Sequence, residues 1–260
     1  MKLLAVAVTL LFVSCMNSGK NKFSDMSGVY KMLYQRIHND NTDTTYKTLQ
    51  QLKIFTDNYM MYANFNPRDS ISAFGIGNYS LNKDTVTENI FFSASDTTHN
   101  NNPVAYSLLL DKTSKGYQQI IDSLSIRGTK YRLVEEYESV GEDKTSPLDG
   151  AWRQVETSLI TNDDTVTNTP TQYKVYHKGY VIWGHLIQDS MNVSHTAMGF
   201  GRFEMDGNTK MKEYMSTSTY YLVRAHNFEL DISMNGPDEY TQTIHNDDGS
   251  RSVEIYKRLK

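Results

Sequence analysis

The chain has 260 residues, a formal net charge of −4, 22% charged and 38% hydrophobic residues. This composition is typical of a folded protein rather than a disordered chain. The sequence has no cluster of basic residues that would attract nucleic acid, so no nucleic-acid partner is expected. The 18 tyrosines and 10 phenylalanines favour β-strands over helices.

The first element in chain order is an N-terminal apolar run, 3–13, that follows Met1 and Lys2. It is too short to span a bilayer, which needs about 20 residues. A basic start, a short apolar stretch and then small residues are typical of a secretory signal. The run leads into Ser14 and Cys15, and Cys15 is the single cysteine of the sequence, so no intramolecular disulfide can form.

This junction resembles the bacterial lipobox, in which a small residue precedes a cysteine that becomes lipid-modified. Phe12 departs from the pattern, because leucine is commonest at its place. The resemblance implies a signal peptide at 1–14, lipid attachment at Cys15 and a tether at 15–24. It therefore predicts an outer-membrane lipoprotein of the cell envelope that is held to the membrane by acyl chains. The periplasmic and the surface face of that membrane both remain open.

An internal repeat organises the rest of the chain. Four segments recur in the same order about 120 residues later: 28–31 and 150–153, 53–62 and 174–183, 75–79 and 199–203, 134–137 and 253–256. The repeat predicts a first domain at 25–140, a linker at 141–149 and a second domain at 150–260.

Each copy contains eight strand-like runs that are separated by turn residues. They lie at 28–37, 48–56, 58–66, 70–81, 84–94, 104–112, 116–126 and 130–139, then at 150–160, 171–177, 180–188, 191–205, 208–218, 221–233, 239–245 and 250–258. Consecutive short strands with tight turns predict an all-β protein made of two tandem eight-stranded antiparallel up-and-down barrels.

The start of the second copy resembles the Gly-x-Trp signature of lipocalins, with Gly150 and Trp152 in the first strand. The first copy has the weaker form Gly28 and Tyr30. The resemblance implies that the aromatic ring closes one end of the barrel against an arginine of the last strand. Arg251 is our choice over Arg258, as a structural and not a catalytic residue.

The whole chain also resembles lipocalin-like lipoproteins of unknown function from Bacteroidetes-type bacteria. That resemblance implies the fold and a location in the cell envelope, but it implies no catalytic residue. Gly75-Ile76-Gly77 and Gly199-Phe200-Gly201 lie inside strand patterns with no helix after them. They are therefore interpreted as bulges or bends rather than nucleotide loops.

Histidines concentrate in the second copy, where His185 could converge with His195 or His226 on a metal or haem. The preferred interpretation is scattered polar side chains, because no histidine pair has ligand spacing. No catalytic residue, metal site or cofactor is predicted.

An eight-stranded barrel is either filled by side chains or holds one small ligand. The candidates that line such a cavity are Tyr62 and Asn64 in the first copy and Trp183 and His185 in the second. Ala63 and Gly184 on the same strands are expected to leave room for the ligand.

The sequence favours a non-enzymatic, lipid-anchored protein that binds a small, largely apolar ligand. The alternative is an envelope interaction module with filled barrels, which engages a protein or glycan through its outer face. An enzyme or haem handler that uses the histidines is the third reading. The protein partner, if there is one, is not indicated.

Overall fold

The computed structural model describes residues 23–95, 103–126, 128–188 and 194–260. Every regular element in these ranges is a β-strand. No helix in this part of the chain has the length and apolar character that crossing a membrane requires. The predicted signal peptide and Cys15 lie outside the described residues.

Eighteen strands form two successive sheets in the described ranges. The first sheet contains β1 (Gly28–Asn39), β2 (Thr42–Tyr46), β3 (Gln50–Phe55), β4 (Tyr59–Asn66), β5 (Ile71–Asn82), β6 (Thr85–Ser93), β7 (Val104–Lys112), β8 (Gly116–Ile126) and β9 (Thr129–Ser139). The second contains β10 (Gly150–Ile160), β11 (Thr165–Asn168), β12 (Thr171–His177), β13 (Tyr180–Gln188), β14 (Ser194–Asp206), β15 (Lys210–Ser218), β16 (Asn227–Met234), β17 (Glu239–His245) and β18 (Arg251–Arg258).

Each sheet closes on itself. All neighbours are antiparallel, and β9 pairs back onto β1 while β18 pairs back onto β10. The short β2 pairs with the far half of β1, whose near half pairs with β3, so β2 and β3 share one position in the barrel. Eight positions therefore form each closed barrel, which confirms the predicted fold. Closure leaves no long free edge.

Two details of the strands were not predicted. β2 and β11 are largely exposed and rich in threonine, so neither carries the apolar alternation that identifies a strand. The strand expected from residue 221 begins only at Asn227. The preceding residues form a turn in which the Val223 amide donates to the Tyr220 carbonyl at 3.0 Å, and Ala225 has a positive φ of 60°.

The Gly-x-Gly segments contain bulges, as interpreted from the sequence. The β5–β6 register shifts between Ile76 and Gly77. The β14–β15 register shifts between Phe200 and Arg202, on either side of Gly201. A bulge at the same place in both copies bends the barrel wall in the same way.

The two barrels pack against each other through the outer faces of equivalent strands. β3, β4 and β5 of the first barrel meet β12, β13 and β14 of the second. One continuous apolar cluster fills the space between them. Its members are Val29, Leu52, Ile54, Met61, Ala63, Phe65, Phe74, Ile76, Phe92, Ala151, Tyr173, Val175, Ile182, Met198 and Phe200.

This packing corrects the expectation for Ala63 and Gly184, which do not face a barrel cavity. Ala63 is fully buried in the cluster between the barrels. A Cβ atom on Gly184 would lie 2.4 Å from the Phe74 ring of the other barrel, so only glycine admits that ring without a shift. The small residues on β4 and β13 therefore allow the two sheets to approach closely, and they do not make space for a ligand.

Trp152 closes one end of the second barrel, but Arg258 and not Arg251 covers it. The Arg258 guanidinium lies 4.1 Å from the centroid of the Trp152 ring. It also donates to the carbonyl oxygens of Asp149 at 2.6 Å and Pro147 at 3.1 Å. Trp152 pairs directly with Arg258 across the β10–β18 ladder, whereas Arg251 pairs with Ile160 at the far end of β18.

Gly150 makes room for this arrangement. Its φ is +133°, and a Cβ atom there would lie 2.2 Å from the Arg258 Nη1 atom. The first barrel has no such arginine, since Ser139 is the residue paired with Tyr30. There the Tyr30 ring packs edge-on against Tyr117 at 4.9 Å, and Phe23 contacts Tyr117 from the other side.

Candidate functional site: two barrel interiors with the same polar side chains

Six polar residues occupy equivalent places inside the two barrels and are identical in both. The paired positions are Gln51 and Gln172, Lys53 and Lys174, Glu88 and Glu213, Gln119 and Gln242, Glu135 and Glu254, Tyr137 and Tyr256. We call each set the polar cluster of its barrel. The two copies differ at most other interior positions, so this identity is a specific feature of the site.

Lys53 lies at the centre of the first polar cluster, with only 2% of its surface exposed. Its Nζ atom donates to Glu88 Oε1 at 2.9 Å and to Gln119 Oε1 at 2.8 Å. It also lies 5.5 Å from the centroid of the Tyr137 ring, within the range of a cation–π contact. A buried ammonium is tolerated only with such partners.

Glu135 holds the other side of the first cluster. It accepts hydrogen bonds from Gln119 Nε2 at 2.9 Å, Tyr137 OH at 2.8 Å and Gln35 Nε2 at 2.8 Å. Burial, with the nearby Glu135 carboxylate, raises the pKa of the Tyr137 hydroxyl well above its ordinary value. Tyr137 therefore remains a neutral donor at physiological pH.

The second cluster has the same arrangement, but the distances from its lysine to the glutamate and the glutamine are longer. Lys174 Nζ donates to Gln242 Oε1 at 3.1 Å and lies 3.7 Å from Glu213 Oε1. The Tyr176 hydroxyl, where the first barrel has Phe55, donates to the same glutamate oxygen at 2.6 Å. Glu254 Oε2 accepts from Tyr256 OH at 2.6 Å.

Each cluster forms the polar side of a cavity of about 200 Å³. The apolar side of the first cavity includes Tyr62, Tyr106, Leu108 and Ile121. The apolar side of the second consists of Trp183, Met215, Tyr220, Val223, Phe228, Leu230 and Ile244. Liquid water occupies about 30 Å³ per molecule, so each cavity has the volume of roughly seven waters. A ligand of this size must be compact.

The four candidate lining residues differ in their positions. Tyr62 and Asn64 line the first cavity, and Trp183 lines the second. His185 is partly buried on the same strand as Trp183 but does not line the second cavity. Burial lowers the pKa of His185 to about 4, so its imidazole is neutral at pH 7. Ligand contact at these positions stays a prediction.

Among the other histidines of the second barrel, His177, His226 and His245 have separate partners, whereas His195 pairs with Ile187 and so lies on the same face of the sheet as His185. His226 is exposed and hydrogen-bonds the Arg224 carbonyl at 2.9 Å, while His177 contacts Ser27 Oγ at 3.1 Å. Among the described residues, no group of three histidine, cysteine or carboxylate side chains could hold a metal ion.

A turn between β15 and β16 covers the second cavity. The Tyr220 ring stacks on Trp183 with centroids 5.6 Å apart. Arg224 holds the turn by donating from Nε to the Ser218 carbonyl at 3.0 Å, and its guanidinium lies 4.5 Å from the Phe65 ring of the first barrel. The cover of the second cavity therefore depends on the neighbouring barrel.

Sequence reasoning missed the polar clusters, although the signal was present. The strand that carries Gln51 and Lys53 aligns with the strand that carries Gln172 and Lys174 in the detected repeat. A lysine on alternating strand positions is ordinarily solvent-exposed. Only the pairing of strands across the barrel shows that these lysines point inwards at glutamates from β6 and β15.

No family model matches the sequence, and no curated protein is matched by it. Solved structures do show similarity. A lipocalin-like protein from Bacteroides uniformis is 11% identical and covers 44% of this chain and 100% of its own, with a TM-score of 0.31. A redesigned β-barrel is 12% identical and covers 44% of this chain and 93% of its own, also at 0.31.

A protein of unknown function from Nostoc punctiforme, of the DUF3598 family, covers 90% of this chain and 96% of its own. It is 10% identical, with a TM-score of 0.26. The strand order of this chain by itself defines its architecture. The protein consists of two tandem up-and-down β-barrels, each closed by eight antiparallel strand positions.

Proposed function

We propose that the protein is a non-enzymatic binding protein whose barrels each hold one compact ligand. The observation that carries the proposal is the repeated cavity, in which the same five polar residues (two glutamines, two glutamates and one lysine) face a wall of apolar and aromatic side chains. Such a lining suits a ligand with a polar head and an apolar body. The identity of the polar residues in two otherwise diverged copies supports a role in recognition.

Trp183 provides the test of ligand entry, because it lines the second cavity while Trp152, the other tryptophan, is fully buried at the closed end. An exported chain with Cys15→Ser is titrated with hexanol, 2-phenylethanol, hexanoate and hexylamine. We expect at least one probe to change tryptophan fluorescence and to appear as an added mass in native mass spectrometry.

The fluorescence change should disappear in Trp183→Phe, while the Trp152 emission is retained. If all four probes leave both the spectrum and the mass unchanged, the barrels do not bind ligands of this kind. The protein would then be better described as an interaction module with filled barrels.

One observation favours that interaction module as a second candidate. Tyr221 and Leu222 lie at the tip of the turn over the second cavity and are 82% and 80% exposed. Two large apolar side chains side by side in solvent are unusual enough to mark a contact surface. A protein or glycan partner bound there would need no open cavity.

We also propose that acyl chains on Cys15 hold the protein to the outer membrane of the cell envelope. The support is the short apolar run and the position of the single cysteine after it. The expected result is incorporation of an alkyne-labelled fatty acid by cells that express the full chain. Cys15→Ser should remove the label, and retention of the label in this variant would disprove the anchor.

A further inference from the structure

The charges inside each barrel do not balance. Each polar cluster contains one lysine and two glutamates, so its formal charge is −1. The first barrel has Lys53 with the buried Glu88 and Glu135, and the second has Lys174 with the buried Glu213 and the partly buried Glu254. A carboxylate that is buried without a counter-charge destabilises the fold, so proteins ordinarily pair such groups. The missing positive charge is the starting point of the inference.

The unmatched carboxylate atoms lie in the cavities. Glu88 lines the first cavity and is 4% exposed; its Oε1 atom accepts from Lys53, and its Oε2 atom accepts no hydrogen bond from the described residues. Glu213 lines the second cavity and is 6% exposed, and its Oε2 atom is likewise without a donor in the described ranges. Both oxygens are available to a ligand.

The second cluster has more carboxylate oxygens that are free to accept a hydrogen bond than the first cluster has. Glu135 Oε1 is occupied by Gln35 Nε2, whereas the equivalent oxygen of Glu254 accepts no hydrogen bond within the described part of the chain. Two carboxylates with a free oxygen therefore line the second cavity. The aromatic side chains of Trp183, Tyr220 and Phe228 complete the lining of the second cavity.

We propose, on the basis of the ligand-binding function above, that the ligand is a small organic cation: a protonated amine on a compact apolar body. The ammonium donates to the free glutamate oxygens and offsets the net charge of the cluster. The apolar body lies against the aromatic wall. The second barrel binds such an amine more tightly than the first, because two of its carboxylates can accept hydrogen bonds from the ammonium group.

Three probes of nearly the same shape test this inference at pH 7: 2-phenylethylamine, a cation; 2-phenylethanol, neutral; and phenylacetate, an anion. Binding is followed by Trp183 fluorescence and by titration calorimetry on the Cys15→Ser chain. We expect the amine to bind at least about tenfold more tightly than the alcohol, and the anion to bind most weakly.

Glu213→Gln keeps the side-chain shape and brings the formal charge of the second cluster to zero, so the amine should lose most of its advantage over the alcohol in the Trp183 signal. Glu229→Gln, at an exposed glutamate, is the matched control and should change neither affinity. The unfolding midpoint of each variant shows that the barrel is folded.

Equal or tighter binding of the alcohol or the carboxylate would overturn the cation inference and leave the binding function intact. An undiminished amine preference in the Trp183 signal of Glu213→Gln would overturn it as well. If none of the three probes binds, and the four probes of the earlier titration also fail, both the inference and the binding function are wrong.

Discussion

Replacing Lys53 with methionine is expected to lower the free energy of unfolding by about 3–5 kcal/mol. The change keeps the length and apolar stem of the side chain but leaves Glu88 and Glu135 buried without a cation, which is the costly way to break a buried ion pair. Urea unfolding followed by circular dichroism measures the effect.

Two further variants make this result specific to charge. Lys210→Met removes an exposed ion pair with Asp231 and should cost less than about 1 kcal/mol. Adding Glu88→Gln to Lys53→Met removes one of the stranded carboxylates and should recover part of the loss. A Lys53→Met variant as stable as Lys210→Met would show that the polar cluster does not depend on its lysine.

Phe74→Ala is expected to cost about 3–5 kcal/mol and to loosen the contact between the barrels. Phe74 is 1% exposed, and its ring lies against Gly184 of the second barrel and 5.7 Å from the Phe92 ring. Truncation leaves a cavity in the largest shared apolar cluster. The unfolding free energy and the radius of gyration from small-angle X-ray scattering report the two effects.

The partner residue provides the check on this interpretation. Gly184→Leu alone should cost about 1–3 kcal/mol, because its side chain would overlap the Phe74 ring. Combined with Phe74→Ala, the leucine fills the vacated space, so the double variant should be more stable than the sum of the two losses. Ile71→Ala, at a 63% exposed position on the same strand, should have almost no effect. Strict additivity would mean that Phe74 and Gly184 do not meet.

The interface also changes how the tandem repeat is understood. Met61 and Ile182 occupy equivalent places in the two copies, as do Ile54 and Val175, and all four are fully buried between the barrels. Each copy therefore presents the same patch to the other, as in a symmetric dimer whose subunits are joined covalently.

The proposed ligand sites, in contrast, differ between the two barrels. Both barrels retain the lysine, the two glutamates and the two glutamines. Among the described residues, two carboxylates with free oxygens line the second cavity and one lines the first, and Tyr220 covers the second cavity. The second barrel is therefore the better place to look first for a ligand. In the first barrel, Gln35 already donates a hydrogen bond to Glu135, so one fewer carboxylate oxygen is free to accept from a ligand.

The sequence by itself determined the fold class, the two copies and most strand positions. Strand alternation and turn residues act over a few neighbours, so a pattern such as Tyr59–Asn66 predicts its own strand. The Gly-x-Trp motif likewise located the closed end at Trp152. These features are local, and local chemistry is what a single sequence displays.

Only the tertiary structure decided which face of each strand meets a cavity and which meets the other barrel. Ala63 and Gly184 belong to the interface, and Arg258 rather than Arg251 covers Trp152, because strand register sets these neighbours. The ion pair of Lys53 with Glu88 joins residues 35 positions apart. Contacts of that kind arise from barrel closure, which no short-range pattern encodes.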